Sequence, residues 1–258
     1  MSMRVLIKLG GTLLDDQALR ERLSGEIHQA AGQTHAVVVH GGGKQMTRFL
    51  AERGIESKFV NGLRVTTPEV IDAVLKVFAG TVNHQLVASL VRAGAQPVGI
   101  SGVDSALVEC EPLGGEYGFV GKPLRCNARL LATLTSAGYT PVVACIGGDR
   151  QGNIYNVNAD QMAVACATGF GAERLLFLTD VDGVRDASGR NASQLTIAEM
   201  HKLIADGIAT GGMQAKLEAA ILALQNGVQQ VIVGPGSRPG IIAELLSGQA
   251  LGTRLVRG

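Results

Sequence analysis

Tryptophan is absent from the 258-residue chain, and aromatic residues make up only 3% of it. The cysteines are also few and far apart, and no two of them form a CxxC pair: Cys110, Cys126, Cys145 and Cys166. This spacing argues against a disulfide framework or a zinc site and predicts four scattered, buried thiols in a reducing compartment. An excess of one charge is lacking too, since the formal net charge is +1. That balance argues against bulk attraction to nucleic acid or to an anionic membrane.

Several common enzyme motifs are missing. There is no GxxxxGK[ST], because no glycine stands five positions before Gly43-Lys44 and Pro123 follows Gly121-Lys122. There is also no GxGxxG and no GxSxG, so P-loop, dinucleotide-binding and α/β-hydrolase interpretations lose support. The N-terminal apolar run is too short for a signal peptide or a spanning helix, and Lys8 interrupts it. We therefore expect a cytoplasmic protein with no membrane segment.

What the sequence does contain is a regular alternation of short apolar runs and amphipathic stretches. Hydrophobic residues make up 46% of the chain, which also has 35 glycines. The clusters of glycine follow predicted strands that end near residues 9, 39, 101 and 146. Such alternation predicts a mostly parallel sheet covered on both faces, with ligands beyond the carboxyl ends of the strands. The predicted helices cover residues 15–31, 44–53, 69–92 with a break at Gly80, 130–137, 159–168, 197–206 and 213–226. A β-hairpin is predicted over 106–121, and a lobe boundary near 170–175.

Lys8 stands in the first predicted strand, and Gly10 and Gly11 follow that strand directly. A buried strand carries an ammonium group only where an anion pairs with it. One interpretation is that Lys8 reaches a phosphate while the two glycines bring backbone N–H groups close to the phosphate oxygens. The other is that Lys8 extends to solvent and the glycines only form a turn. The residues alone leave both interpretations open.

Two further loops follow predicted strands. His40-Gly41-Gly42-Gly43 precedes a predicted helix, and three glycines without Cβ atoms favour anion binding at the positive helix end. His40 itself is better explained as a core histidine with its hydrogen bonds satisfied. The segment 179–184 fits either a nucleotide contact or a simple Asx turn.

Isolated polar residues give weaker signals. Arg64 lies in a stretch with few charges, and its guanidinium could bind a carboxylate through bidentate hydrogen bonds. The commoner case for an arginine in a loop is a residue exposed on the surface. Asn158 is explained as a helix N-cap, with Asp160 in the first turn, but Asn156 is not. Lys216 is predicted in the first turn of its helix, which is unfavourable for a cation unless an anion lies nearby.

Together these segments, in their order and spacing, resemble the amino acid kinase family. The resemblance rests on KLGG at Lys8, VVVHGGGKQ near residue 40, NGLRVT at 61–66, NVNADQ at 156–161, LTDVDGV at 178–184 and GGMQAK at 211–216. Within the family, the motifs are most similar to those of the kinases that phosphorylate N-acetyl-L-glutamate in arginine biosynthesis. The resemblance implies an α/β fold, a three-layer αβα sandwich with a mostly parallel central sheet. It also implies an N-terminal lobe over 1–172 for acetylglutamate binding and dimerisation, and a C-terminal lobe over 173–258 for ATP.

The resemblance also implies roles for individual residues. Lys8 and Lys216 would stabilise the phosphoryl group in transfer, and Asp160 would hold both lysines in place. The acceptor would be bound by Gly42, Gly43, Arg64 and Asn156, with Arg64 taking its α-carboxylate. ATP would be bound by Gly10, Gly11, Asp180, Val181, Asp182, Gly183, Val184, Arg185, Ile208, Ala209 and Thr210. No protein metal ligand is implied, because Mg²⁺ would be held mainly through the phosphates of ATP.

The implied reaction is attack of a γ-carboxylate on ATP, which needs positioning and charge neutralisation rather than a general base. The implied partners are N-acetyl-L-glutamate and ATP, with no nucleic acid and no membrane. Because the Lys8 strand begins almost at Met1, an N-terminal helix found in arginine-inhibited hexamers is not expected, and we expect an arginine-insensitive homodimer. Gly211 departs from relatives that carry an acidic residue before Gly212, which affects the expected nucleotide contacts.

Three alternatives stay open. A sister kinase acting on another acidic substrate, such as an aminoadipate derivative, would share most of these motifs, although NGLRVT argues against it. A non-catalytic metabolite sensor would be expected to lack Lys8, Asp160 or Lys216, and all three are present. The kinase-like part of an acetyltransferase would need a further domain, which we do not expect after residue 258.

Overall fold

The computed structural model describes residues 2–258. Its strands are β1 (Arg4–Leu9), β2 (His35–His40), β3 (Phe59–Val60), β4 (Leu63–Arg64), β5 (Pro97–Ser101), β6 (Val108–Pro112), β7 (Val120–Cys126), β8 (Thr140–Ala144), β9 (Ile146–Gly148), β10 (Ile154–Val157), β11 (Arg174–Thr179), β12 (Gln194–Thr196), β13 (Gln230–Pro235) and β14 (Thr253–Val256). Its helices are α1 (Gly11–Asp15), α2 (Gln17–Ala31), α3 (Gly43–Ala51), α4 (Pro68–Val74), α5 (Asn83–Arg92), α6 (Arg129–Ser136), α7 (Ala159–Phe170), α8 (Ile197–Ala205), α9 (Gly211–Gln225) and α10 (Ile241–Leu246). A π-helical segment, Leu75–Val82, joins α4 to α5.

An eight-stranded sheet runs through the molecule in the order β12-β14-β13-β11-β1-β2-β8-β5. All pairings are parallel except the antiparallel pair β13–β14. In β1, every residue from Val5 to Leu9 is buried, which requires cover on both faces of the sheet. One group of helices joins α2, α5 and α10, and another joins α6, α7 and α9. The predicted three-layer α/β architecture with a mostly parallel sheet is confirmed.

A small closed barrel of β10, β7, β6 and β9 stands beside the main sheet. Its hairpin β6–β7 is antiparallel, with Val108 opposite Cys126. The predicted hairpin over 106–121 is therefore correct in kind, but its second strand was placed too early. That strand is Val120–Cys126, because residues 115–117 are taken up by a 3₁₀ turn after Gly114.

The predicted break at Gly80 is wrong. The chain stays helical from Pro68 to Arg92, and Gly80 lies inside the π-helical segment. By length and composition alone this stretch could cross a membrane. Its residues Val74, Val77 and Leu86 are buried in the core, however, so packing against the rest of the fold accounts for its apolar face.

Several other boundaries differ from the predicted ones. Gly11 is not part of a turn but begins α1. The strand predicted to end near residue 146 ends at Ala144, and a separate strand, β9, follows Cys145. The sequence also predicts a last short strand over 253–256 and a capping box of Thr196 with Glu199, and both are confirmed. The lobe boundary near 170–175 falls between α7 and β11. The division into functional lobes stays a prediction.

Candidate active site

The carboxyl ends of β1, β2, β8 and β11 lie side by side in the sheet, since these strands are parallel neighbours. The loops that leave them carry the glycines and polar residues singled out in the sequence. Helix α7 also begins here, and its N-cap Asn158 accepts hydrogen bonds from the backbone N–H groups of Asp160 and Gln161. This cap fixes the first turn of α7 and therefore the position of Asp160.

Lys8 and Lys216 both contact the Asp160 carboxylate. The Lys8 Nζ lies 2.7 Å from Oδ1, and the Lys216 Nζ lies 3.0 Å from Oδ2. The Lys216 contact is a regular hydrogen bond, whereas the Lys8 contact is an ion pair without hydrogen-bond alignment. The three residues come from β1, α7 and α9 and are all more than nine-tenths buried. Two residues 208 positions apart in the chain, Lys8 and Lys216, are thus brought to one carboxylate.

Burial and charge act in opposite directions on this group. Burial would raise the pKa of Asp160, but the charges of Lys8 and Lys216 outweigh it and hold the pKa at about 2. Burial lowers the pKa of Lys216, and the charge of Lys8 lowers it further, against the opposing effect of Asp160. Asp160 is therefore ionised at neutral pH, and with both lysines protonated the trio carries one net positive charge.

Lys216 is in the second turn of α9, as the sixth residue of Gly211–Gln225, and not in the first turn as predicted. The helix begins two residues earlier than the predicted start. Its ammonium group also lies 4.9 Å from the centre of the Phe177 ring of β11, a cation–π distance. The unfavourable position near a positive helix end is thus offset by Asp160 and Phe177 together.

The two predicted glycine loops touch each other. A Cβ atom on Gly11 would lie 3.1 Å from the backbone nitrogen of Gly43. A Cβ on Gly42 would lie 2.9 Å from the Phe78 ring, so a larger residue there would displace the ring. Gly10 N–H donates to the Leu178 carbonyl, which ties this loop to the end of β11. Gly43, in contrast, has open space where a Cβ would point.

A pocket of about 150 Å³ lies beside these loops. It is lined by Gly41, Gly42, Gly43, Phe59, Gly62, Leu63, Arg64, Phe78, Val120, Cys145, Asn156, Val157, Asn158 and Ala159. All four residues predicted to bind the acceptor are among them: Gly42, Gly43, Arg64 and Asn156. Their role in binding stays a prediction.

Arg64 is buried at the end of β4, and its guanidinium donates to the Gly43 carbonyl at 3.2 Å and to Thr47 Oγ1 at 2.9 Å. It lies 4.7 Å from the centre of the Phe59 ring, and burial lowers its pKa. Within residues 2–258, none of the ion pairs includes Arg64. A buried guanidinium without a carboxylate is a favourable place for an anionic ligand.

Asn156 has a partner that the sequence did not indicate. Its side-chain amide donates to Thr66 Oγ1 at 3.0 Å, which links β10 to the NGLRVT segment. That segment begins with the turn of the tight hairpin β3–β4, whose loop residues Asn61 and Gly62 both have positive φ. The two motifs that were most specific in the sequence are therefore neighbours in space.

A second cavity, of about 470 Å³, lies at the carboxyl end of β11. It is lined by Asp180, Val181, Asp182, Gly183, Arg185, Gly189, Asn191, Ile208, Ala209 and Met213. Seven of the residues predicted for ATP are in this set. Val184 is instead buried, with its N–H donating to Thr253 Oγ1, and Thr210 immediately precedes α9 without lining the cavity.

Gly189, Asn191 and Met213 were not predicted for this cavity. The first two belong to a loop that returns on itself, since Arg185 pairs with Asn191 in an isolated β-bridge. The turn residues of Asp186-Ala187-Ser188-Gly189 are the signal that points to such a return.

His40 is a core residue, as interpreted. It is fully buried, with Nδ1 3.0 Å from the Gly41 carbonyl and Nε2 2.9 Å from the Asn83 amide. Burial lowers its pKa to about 4, so it is neutral at physiological pH. The prediction of four buried thiols holds for Cys110, Cys145 and Cys166, whereas Cys126 is only half-buried.

Metal ligands are not clustered in the described part of the chain. No group of three or more His, Cys, Asp or Glu residues there has the arrangement of a metal site. Asp160, the one buried carboxylate among the site residues, is already engaged by two lysines. A divalent cation at this site would therefore need other ligands, such as phosphate oxygens and water.

The comparison with known proteins agrees with this geometry. The sequence model of the amino acid kinase family matches residues 3–235. The chain is 62% identical to a protein named acetylglutamate kinase from Solibacter usitatus, over 98% of this chain and 99% of that protein. It is 42% identical to a protein of the same name from Geobacillus kaustophilus, over 92% and 91% of the two chains.

Solved structures show the same fold at lower identity. N-acetylglutamate synthase from Neisseria gonorrhoeae, complexed with coenzyme A and N-acetyl-glutamate, aligns with a TM-score of 0.89 at 24% identity. The alignment covers 99% of this chain but only 60% of the synthase chain. A carbamate kinase from Giardia aligns with a TM-score of 0.73 at 18% identity, over 100% and 99% of the two chains. From the family match and the long, high-identity alignments, the chain belongs to the amino acid kinase family.

Proposed function

We propose that the protein transfers the γ-phosphoryl group of ATP to the γ-carboxylate of N-acetyl-L-glutamate, giving ADP and N-acetyl-L-glutamyl 5-phosphate. The observation that carries the proposal is the convergence of Lys8 and Lys216 on Asp160. Ala159, next to Asp160, lines the 150 Å³ pocket, and Met213, three residues before Lys216, lines the 470 Å³ cavity. The full-length relatives named acetylglutamate kinase support the choice of acceptor.

The acceptor binds in the 150 Å³ pocket. Arg64 takes its α-carboxylate, since the guanidinium is buried and unpaired with any acid among residues 2–258. Gly42 and Gly43 offer backbone N–H groups at the start of α3, and Asn156 offers an amide from the facing strand β10. ATP binds in the larger cavity, with its phosphates directed towards Gly10 and Gly11.

Transfer consists of one bond made and one broken. A γ-carboxylate oxygen of the acceptor attacks the γ-phosphorus, and the bond from phosphorus to the bridging oxygen breaks, so that ADP leaves with the electron pair. Because the acceptor is already ionised, no base is required. Lys8 and Lys216 neutralise the charge that develops on the phosphoryl oxygens, and Asp160 positions the two ammonium groups. The net positive charge of the trio suits a phosphoryl group.

Mg²⁺ fits this proposal only as an ion that binds together with the nucleotide, through its phosphates. The described residues offer no cluster of protein ligands for it, and a phosphate-bound Mg²⁺ with water needs none. When bound, it supplies neutralising charge to the β- and γ-phosphates. Asp180 and Asp182, which line the nucleotide cavity, would offer carboxylates for a water-mediated contact with it.

We also propose a homodimer in the cytoplasm. Strand β5 is the end strand of the sheet, and its apolar residues Val98 and Ile100 are only half-buried. An unpaired apolar edge favours pairing with a second chain. Sedimentation equilibrium is expected to give twice the chain mass of 26.8 kDa, and a single-chain mass at micromolar concentration would contradict the dimer. The free cysteines agree with a reducing compartment.

The proposal is tested by ADP release with purified protein, Mg²⁺, ATP and a panel of acidic acceptors. N-acetyl-L-glutamate is expected to support turnover, and free glutamate and N-acetyl-aminoadipate are not. Turnover with the aminoadipate compound alone would assign the sister activity, and no turnover with any acceptor would favour a sensor. Addition of L-arginine tests the expected insensitivity in the same assay.

A further inference from the structure

Gln45 is a buried polar residue that the proposed mechanism does not use. It stands in the first turn of α3, two residues after Gly43, and is 8% exposed. Long polar side chains are rarely buried unless hydrogen bonds hold them there. Its contacts therefore need an explanation.

The side-chain amide of Gln45 joins the two glycine loops. Its Nε2 donates to the Gly11 carbonyl at 3.3 Å. Gly11 begins α1 directly after the Lys8 strand, whereas Gln45 follows the Gly41–Gly43 loop. The same two loops are in van der Waals contact, because a Cβ on Gly11 would lie 3.1 Å from the Gly43 nitrogen. Gln45 is the side-chain link across that contact.

The other end of the Gln45 amide is unsatisfied. Its Oε1 is buried and has no hydrogen-bond partner among residues 2–258. An unpaired buried carbonyl costs stability, so an apolar residue of similar size would be favoured if this position only filled space. The presence of an amide at this position is therefore best explained by its hydrogen bond to the Gly11 carbonyl.

We infer that Gln45 is a positioning residue for phosphoryl transfer. It holds the Gly10–Gly11 loop against the Gly41–Gly43 loop, so that the backbone at the end of β1 keeps its place between the acceptor and the nucleotide. This inference rests on the proposed function for its kinetic consequence, but the loop contact itself does not depend on the identity of the acceptor.

The first test compares Gln45→Met with wild type. Methionine has a similar length and no donor, so the core stays filled while the link to Gly11 is lost. We expect kcat to fall about tenfold, as for other residues that orient a reacting group. The KM for the acceptor is expected to stay within about twofold, because Arg64 and Asn156 are untouched. Gln45 and the exposed Gln85 both line one surface cleft, so Gln85→Met is the matched control and is expected to behave as wild type.

The second test is the pH profile of Gln45→Glu. A protonated carboxyl donates its O–H to the Gly11 carbonyl as the amide does, whereas an ionised carboxylate repels that oxygen. Burial moves the pKa of such a group above the usual value of about 4.3. We therefore expect the kcat of this variant, relative to wild type, to be highest on the acid side and to fall as pH rises. If residue 45 had a merely structural role, this fall of kcat with rising pH would not be seen.

The third test needs no turnover. Hydrogen exchange, read by mass spectrometry, is expected to show faster exchange in the peptide over residues 9–15 of Gln45→Met than in wild type, with the Gln85→Met control unchanged. The inference would be overturned if this peptide exchanged in Gln45→Met at the same rate as in wild type. It would also be overturned if both variants at position 45 had the kcat and the pH profile of the wild type. Absence of turnover in the wild type would instead overturn the proposed function and leave the exchange result to decide on Gln45.

Discussion

At the scale of single residues, the site depends on a balance among three buried charges. Asp160 alone would be costly to bury as an anion, and each lysine alone would be costly as a cation. Together they satisfy one another at 2.7 and 3.0 Å while leaving one net positive charge for a ligand. A phosphoryl group that reached this cluster would meet two ammonium groups already desolvated and oriented, which is the condition for strong electrostatic stabilisation of a transition state.

The two lysines are expected to matter for rate far more than for binding. Lys8→Ala and Lys216→Ala should each lower kcat by about 10²–10³, the typical loss for one preorganised donor. Affinity for N-acetyl-L-glutamate, measured by calorimetry, should change little because neither lysine lines the 150 Å³ pocket. Lys202→Ala, at an exposed helix lysine paired with Asp206, is the control. Unchanged turnover in either site variant would refute its catalytic role.

The pKa of Asp160 predicts a specific dependence of stability on pH. Its folded-state pKa of about 2 lies below the unfolded value of 3.8, so its contribution to stability is present above about pH 4 and is lost as pH falls towards 2. The difference in free energy of unfolding between wild type and Asp160→Asn should therefore shrink as pH falls from 5 to about 3 in urea titrations. Asp206→Asn, at an exposed carboxylate, should show no such trend. A wild-type-to-variant difference that is independent of pH would contradict the assignment.

At the scale of elements, Gly42 and Gly43, two of the three glycines of the 41–43 loop, are glycine for different reasons. Gly42 packs against Phe78, and Gly43 faces open space in the acceptor pocket. The first is thus required by the fold, whereas the second is available for a ligand. Sequence reasoning treated them alike, because the contact between residues 42 and 78 is not visible in the local pattern.

Alanine substitutions at these two positions should separate the two roles. Gly42→Ala is expected to lower stability by about 1–3 kcal/mol, since the new Cβ would lie 2.9 Å from the Phe78 ring. Gly43→Ala should leave the melting temperature unchanged or slightly higher, because its Cβ meets no protein atom within 4 Å and alanine favours the helix. Its KM for the acceptor should nevertheless rise about tenfold or more, equivalent to about 1.4 kcal/mol. A normal KM for Gly43→Ala would remove Gly43 from the acceptor site.

The sequence was most informative where apolar periodicity was long and caps were clear. It predicted β1, β2, α8 and the last strand closely, because apolar runs, glycines and the Thr196–Glu199 capping box mark their limits. It missed β3, β4, β9 and β10, which have only two to four residues each. Pairing with distant strands, rather than local propensity, creates such short strands.

The site residues could be proposed from the sequence, but their geometry could not. The approach of Lys8 to Lys216 depends on β1, α7 and α9 packing together, and no local signal gives that. The link from Asn156 to Thr66 likewise joins remote segments, and the contact of Arg64 with the Phe59 ring depends on the short hairpin β3–β4, which was not predicted. The π-helical turn at Gly80 shows the reverse case, in which a glycine that predicts a break is accommodated inside a packed helix.

At the scale of the whole molecule, one sheet brings both candidate binding regions to a common edge. The acceptor pocket draws on the loop after β2, the hairpin β3–β4 and the segment from β10 to α7, and the nucleotide cavity lies after β11. Lys8 on β1 stands between β2 and β11 in the sheet, so the order of strands places the candidate catalytic group between the two substrates. The fold thus explains how residues from both ends of the chain would serve the single transfer that we propose.

The most direct measurement is a crystal structure of the protein with Mg-ADP, aluminium fluoride and N-acetyl-L-glutamate, in which the planar fluoride group stands for the phosphoryl group in transfer. We predict that the Nζ atoms of Lys8 and Lys216 both lie within hydrogen-bond distance of the fluorides, about 2.7–3.2 Å, with Asp160 still contacting both. A complex in which either ammonium group points away from the fluoride, or in which the fluoride binds in a cavity that the two lysines do not share, would contradict the central claim.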